Sequence, residues 1–477
     1  MKHLKKGLKI ILSLLLIITI TIVVLLVVDL NNTSYLNIKN NPDLSKNSYL
    51  ISNINIVPMS KDTILTNKTI FVENGIIKNI DDSIVMEGIE VIDGENKFIS
   101  PGLIDMHTHV WDKHELGLYL ANGVTTIRNL WGYSMHLRIK DGLKNNKMIG
   151  PMFFTSSPKL TSVQDYGDDK VQVGSPEEAK NLVIAYKKRG FDFIKIYAGL
   201  KEDLYHAIIE QSEESDISII SHPSHEMPYL NQFHPQIVSF EHSEEIVQQG
   251  LKYQLDSLKV ESILEKFVST NTSFCPTLTG YYKIFEMLEN DETILKSNLV
   301  GFINPLLQKV DSKVQYDRWA SEKRHNSSIN KNIYEQHQFH LYILKRMHEE
   351  GVNIICGTDA GIGITAPGYS IHQELMLYQE TGMSNFEALK TATINPTKTH
   401  KEFEQMGSIE NGKFANFIVT TNNPLENLSE LSKPEWVMIQ GRKINKKTLN
   451  EFTNNARDRS NLIVTALRYA EYLLVEK

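Results

Sequence analysis

The chain has 477 residues, 41% of them hydrophobic and 22% charged, with a formal net charge of −7. That length predicts one large domain plus a smaller one, and the ordinary composition excludes a disordered chain. The mild charge, with no long block of one sign, excludes a basic nucleic-acid-binding surface. At the N-terminus, residues 10–28 form one uncharged apolar run preceded by Lys2, Lys5, Lys6 and Lys9. At about 1.5 Å per helical residue this run matches the roughly 30 Å hydrocarbon layer of a membrane. The lysines would stay in the cytoplasm and place the rest of the chain outside. A cleaved signal peptide has an apolar region of about 7–15 residues and a small-residue cleavage site. Val27-Val28-Asp29-Leu30 offers no such site, and no cysteine stands nearby for a lipid anchor. The expectation is a cytoplasmic basic tail at 1–9 and a single-pass signal anchor at 10–28. The catalytic part of the chain would then be extracytoplasmic at the cell membrane.

Residues 29–48 are rich in Asn, Ser, Lys and Asp and read as a linker. Short alternating stretches follow, such as Ile51-Ser52-Asn53-Ile54-Asn55-Ile56-Val57, split by turns such as Glu73-Asn74-Gly75. Similar material returns in Lys413-Phe414-Ala415-Asn416-Phe417-Ile418-Val419 and Trp436-Val437-Met438-Ile439. The simplest account is a small β-sandwich domain built from both flanks, residues 49–98 and 405–445. Between them, residues 99–404 alternate apolar strands with amphipathic helices. Candidate strands are 102–107, 124–128, 151–155, 192–197, 217–222, 237–242, 272–276 and 352–357. Eight strands with helical crossovers predict an α/β fold, a (β/α)8 TIM barrel. The long connection 279–351 reads either as a lid or as a packed helical insert. Residues 446–477 are expected to be a C-terminal helical segment. Cys275 and Cys356 are too few for a disulfide framework and lie in apolar stretches, as buried small hydrophobes do.

Chemistry in such a barrel sits at the carboxyl ends of the strands. In Pro101-Gly102-Leu103-Ile104-Asp105-Met106-His107-Thr108-His109 the two histidines are two residues apart, so one strand face carries both imidazoles. Later strand ends carry Lys195, His222, His242 and Asp359. A lone strand-end histidine is an ordinary rim residue. Lys195, between Ile194 and Ile196, needs a partner or a modification if it points into a barrel. All six together point to a metal site.

The chain resembles the amidohydrolase superfamily, nearest to the imidazolonepropionase-like and Xaa-Pro dipeptidase-like group. The resemblance rests on the His107-Thr108-His109 segment, Ile194-Lys195-Ile196, Glu241-His242 and Gly357-Thr358-Asp359-Ala360-Gly361. It implies two divalent ions: His107, His109 and Asp359 on one, His222 and His242 on the other, and carboxylated Lys195 bridging them. Zinc is the first choice, with manganese, cobalt and iron as the others. The implied reaction is hydrolysis of an amide or peptide-like C–N bond by a metal-bridging hydroxide, with Asp359 as the catalytic proton carrier. Arg128-Asn129 and Asn416 depart from the family pattern, which often has Asp after Arg and again in the late β-segment. His225 and His372 are candidates for substrate contact near the barrel mouth.

The expected partners are a small-molecule or short-peptide substrate and, through the N-terminal helix, a membrane. The sequence leaves the oligomeric state open. A mononuclear deaminase on the same fold is one alternative, although it would place Glu three residues after the fifth-strand histidine, where this chain has His225. A lactonase or esterase would share every metal ligand. The remaining alternative is a non-catalytic, membrane-tethered binding protein.

Overall fold

A computed structural model describes residues 2–41, 44, 46–162 and 167–477. Its N-terminal helix, Lys2–Asn32, is long and apolar enough to cross a membrane. Two sheets follow. The smaller domain uses β1 (Tyr49–Ile56), β2 (Leu65–Glu73), β3 (Ile76–Asp81), β4 (Glu90–Asp93) and β5 (Phe98–Pro101) from the first flank. The barrel strands are β6 (Leu103–Thr108), β7 (Val124–Asn129), β8 (Met152–Thr161), β10 (Phe193–Ile196), β11 (Ser218–Ser221), β12 (Ile237–Glu241) and β13 (Ser273–Cys275), with β9 (Lys170–Gln172) appended to β8. The second flank returns β14 (Phe417–Thr420), β15 (Trp436–Ile439) and β16 (Arg442–Asn445).

Both flanks join in one continuous sheet, ordered β16-β15-β14-β5-β1-β2-β3 with β4 beside β1. Antiparallel pairing of β14 with β5 makes the join, Phe417 opposite Pro101 and Thr420 opposite Phe98. The alternation of β1 buries Ile51, Ile54 and Ile56 in a core shared with Val72, Phe417 and Met438. The barrel sheet runs β13-β12-β11-β10-β8-β7-β6 and is parallel throughout. Segment 352–357 closes it without forming a regular strand. Phe274 donates to the Asn353 carbonyl at 3.0 Å on one side, and Met106 to the Cys356 carbonyl at 2.8 Å on the other. The ladder is broken because the Cys356 N–H turns to Thr391 and the Ile104 N–H to Ala392.

The barrel helices follow local rules. Pro176–Arg189 starts on Ser175, whose hydroxyl accepts from the Glu178 N–H, with Pro176 in the first turn and acids beside it. Lys187, Lys188 and Arg189 occupy its last turn, and Gly190 at φ +96° ends it. Ala179, Val183 and Tyr186 form its buried stripe. The 279–351 connection is a set of packed helices, chiefly Leu278–Asn290, Lys313–His325 and Ile329–Glu349.

The segment expected as a linker is packed over part of its length. Residues 42, 43 and 45 lie outside the described residues, but the rest of 33–44 packs on the barrel. Leu36 and Leu44 are buried with Leu120, Ile149 and Phe452, and Ile149 donates to the Leu36 carbonyl at 2.8 Å. The segment's few apolar residues outweigh its polar composition. Two helices end the chain, Lys446–Arg457 and Leu462–Val475. Both cysteines are buried free thiols.

Candidate metal centre

The carboxyl ends of β6, β10, β11 and β12 converge on one buried cluster. His107 is the best held. Its Nδ1 lies 2.7 Å from Glu241 Oε2, and a carboxylate only accepts, so Nδ1 carries the proton and Nε2 keeps its lone pair. That Nε2 faces Asp359 Oδ1 at 3.3 Å. Glu241 is itself fixed by Arg128 Nη2 at 2.9 Å and by the Ser239 hydroxyl, while Arg128 Nε donates to the Met106 carbonyl at 2.6 Å. Arg128, Glu241 and His107 thus form a buried chain under the site.

His109 Nε2 lies 2.9 Å from the same Asp359 oxygen. His242 packs on His107 and on His222, with ring centroids 4.7 Å apart in both pairs, and its Nδ1 meets the Thr277 hydroxyl at 2.9 Å. His222 Nε2 lies 3.1 Å from Glu245 Oε1, and His225 Nε2 lies 2.7 Å from Glu245 Oε2. Three ligand atoms, from His107, His242 and Asp359, lie within 4.8 Å of one another, and so do three from His222, His225 and Glu245.

Burial dominates the electrostatics. It drives His107 well below the usual imidazole range and His242 to about 3, so both are neutral and offer lone pairs. Lys195 is fully enclosed, its amine pushed down to about 8 by burial against the pull of Glu241. Among the described residues its Nζ has no hydrogen-bond partner, and neither has His109 Nδ1 or His222 Nδ1. Lys195 acts electrostatically on all four imidazoles. Uncompensated buried polar atoms are costly, so such a gathering of unpartnered nitrogens fits a centre that binds an additional group. Non-glycine residues are also left-handed here, His242 at φ +73° and Asp359 at φ +57°. Such strain collects at functional sites.

A cavity of about 640 Å³ opens above the cluster, lined by His109, Trp111, Trp131, Lys159, Tyr197 and Tyr469 among others. Lys159 Nζ reaches Asp169 Oδ2 at 2.7 Å, and Lys170 holds the other oxygen. Residues Leu306, Leu307, Val310 and Asp311 of the 279–351 connection form part of its wall. A smaller cavity of about 120 Å³ adjoins Asp359 and Glu244. Burial, reinforced by Glu245, raises the Glu244 carboxyl to about 8.

The structure brings His107, His109, Lys195, His222, His242 and Asp359 to one end of the barrel. It also adds Glu244, Glu245 and Lys159, which sequence reasoning passed over, and gives a role to Glu241, which the sequence had offered only as part of the Glu241-His242 segment. The acids following His242 in Ser243-Glu244-Glu245 were the available signal. His225 reaches the site through Glu245, whereas His372 bonds the Asn122 carbonyl at 3.0 Å. Asn129 steadies the loop after His109, accepting from the Val110 N–H at 2.9 Å. Asn416 accepts from the Gln440 N–H at 2.9 Å, in the small sheet.

The profile of the amidohydrolase family matches residues 120–444, more than half of the chain. A solved Xaa-Pro dipeptidase with methionine bound in its active site superposes with a TM-score of 0.64 at 20% identity, over 83% of this chain and 100% of that one. Bottromycin amidohydrolase superposes with a TM-score of 0.71 at 16% identity, over 90% and 94%. At these identities the likeness is one of fold. A dihydroorotase from Carboxydothermus hydrogenoformans is 44% identical over 63 residues, which are 13% of this chain and only 14% of that enzyme.

Proposed function

We propose that this chain, which belongs to the amidohydrolase family and is a hydrolase acting on carbon–nitrogen bonds, is a membrane-anchored enzyme that cleaves peptide-like amides at a two-metal centre. The superfamily commonly uses divalent metals. Here His107, His109 and Asp359 would hold one ion, His222 and His242 a second, and carboxylated Lys195 would join them. One observation carries this reading: the buried amine of Lys195, without a hydrogen-bond partner among the described residues and felt electrostatically by four imidazoles. Carboxylation makes a buried cation into an oxygen-donor anion, which a cation site can use. A mononuclear deaminase needs no such lysine.

Divalent ions bound there supply Lewis acidity, polarising a carbonyl and acidifying water. The residues of the chain do the rest. Glu241 keeps the proton on His107 Nδ1, so Nε2 stays available. Asp359, whose Oδ1 faces both His107 and His109, is placed to take a proton and pass it to a leaving nitrogen. Trp131 and Tyr197 supply apolar faces for substrate, and Lys159 a cation.

The anchor reading rests on the N-terminal helix and its lysines, which would leave the barrel outside the cytoplasm. The substrate class is tested with a panel of dipeptides and N-acyl amino acids beside lactones and esters. Hydrolysis of the amides is expected. Turnover of lactones or esters with no cleavage of any amide would overturn the reading.

A further inference from the structure

The last helix, Leu462–Val475, has two faces with different surroundings. Ala466 and Tyr469, one turn apart, line the cavity above the histidine cluster, and Tyr469 stacks on Trp111. Leu467, Leu474 and Val475 line a separate, largely apolar groove of about 650 Å³ against Ile22, Leu26 and Leu30 of the N-terminal helix. Arg468, beside Tyr469 in the chain, forms a partly buried ion pair with Asp29. One helix is therefore both a wall of the cavity and the neighbour of the apolar helix.

The depth of that contact matters. Ile22 and Leu26 lie inside the uncharged run that ends at Val28, and Ile22 is about 9 Å of helical rise below its end. If 10–28 span a bilayer, the groove reaches into the hydrocarbon layer. Leu474 is 86% exposed, and Val475 and Ile463 are more than half exposed. Lys113, Arg138 and Glu471 stand at the same groove, as charged groups do at a membrane surface. On the cavity side, Val310 both lines the wall and is 56% exposed, next to Leu306 and Leu307, so this stretch of the wall is apolar as well.

We propose that Leu462–Val475 is an interfacial membrane helix, resting on the bilayer beside the anchor, and that the cavity it walls takes amphiphilic amides presented at the membrane surface. The inference rests on the anchored-hydrolase reading and extends it: an amide near the head of the substrate enters the cavity, while its acyl chain stays with the lipid. A helix diameter of about 10 Å then separates the cavity from the bilayer, a distance an acylated head group covers.

The test uses the full-length protein in phosphatidylcholine–phosphatidylglycerol vesicles, with acyl-chain-brominated lipid as quencher. Leu474→Trp is compared with Val85→Trp, an equally exposed position in the small β-domain. Quenching at 474 about twofold or more above that at 85 is expected for a side chain seated 5–10 Å into the interface. Equal quenching in vesicle-bound protein overturns the inference alone, as it would if a second protein covered the face. Failure to float with vesicles overturns the anchor and the inference together. A second measurement follows turnover. Leu474→Glu with Val475→Glu should raise KM for a long-chain N-acyl amino acid in vesicles about tenfold, the scale of a lost interfacial contact, and leave turnover of its N-acetyl analogue unchanged. An unchanged ratio between the two substrates overturns the substrate class. Cleavage of neither by the unaltered enzyme overturns the amide reading, while the quenching result still decides the placement of the helix.

Discussion

The order of the centre depends on Glu241, which stands behind His107. It accepts from His107 Nδ1 and is gripped by Arg128 and Ser239. Glu241→Gln would weaken the tautomer control and leave Arg128 without its charge partner. We expect metal affinity to fall about 10–100-fold, the usual cost of removing such a partner, as read by chelator competition. Unchanged affinity would contradict this role. Lys195 was legible in the sequence because a lysine flanked by isoleucines must point somewhere unusual. Lys159, between Pro158 and Leu160, carries no such signal and lies beyond the candidate strand 151–155. In fact β8 runs to Thr161. Pro158 has no N–H, the register slips between Phe193 and Lys195, and the Ser157 hydroxyl accepts from the Lys195 N–H at 3.1 Å. A side chain that stands in for a ladder partner leaves no trace in hydrophobic periodicity.

The elements that position the cluster are short and tightly fitted. The loop after segment 352–357 brings Asp359 to the histidines and then turns at Gly361, whose φ is +95°. A Cβ there would lie 2.0 Å from the His109 carbonyl oxygen. Gly361→Ala therefore combines backbone strain with a clash against the residue that bonds Asp359. It should cost more than about 1 kcal/mol, seen as a lowered Tm with reduced activity. A variant of normal Tm and activity would show that the loop adapts. Seven of the eight barrel strands were readable from apolar runs and breakers. The eighth was readable as a segment but not as an irregular one, because its Cys356 N–H turns to the Thr391 carbonyl and the facing Ile104 N–H of β6 to the Ala392 carbonyl, partners that lie outside the strand pair. The packing of the presumed linker was hidden for a related reason: Leu36 and Leu44 are sparse apolar residues in a polar stretch, and Leu120, Ile149 and Phe452, on which they pack, are remote in sequence.

Over the whole molecule, Asp112 ties three distant regions together. It meets Asn304 of the long connection at 2.6 Å and Arg459 of the C-terminal segment at 3.3 Å, and accepts from the His114 N–H at 2.8 Å. Burial acts to raise its pKa, but Arg459, His114, Asn461 and Asn304 hold it at about 2. Its folded value lies below the unfolded value of about 3.9. The stability it contributes is therefore present above pH 4 and is lost as the pH falls towards 2. The Tm gap between the unaltered protein and Asp112→Asn should be widest near neutral pH and should close between pH 4 and 2. A gap independent of pH would contradict this. The barrel class, the separate small sheet and the apolar N-terminal helix were all open to the sequence, since each follows from periodicity or from one long run. The cavity was not, because its walls come from β8, the long connection and the last helix, which only the fold brings together.

The central claim is a two-metal centre joined through Lys195, and metal content tests it most directly. Elemental analysis of the purified full-length enzyme should find two equivalents of divalent metal per chain, falling to one or none in Lys195→Ala of unchanged fold. One equivalent in the unaltered enzyme that survives the substitution would contradict the account.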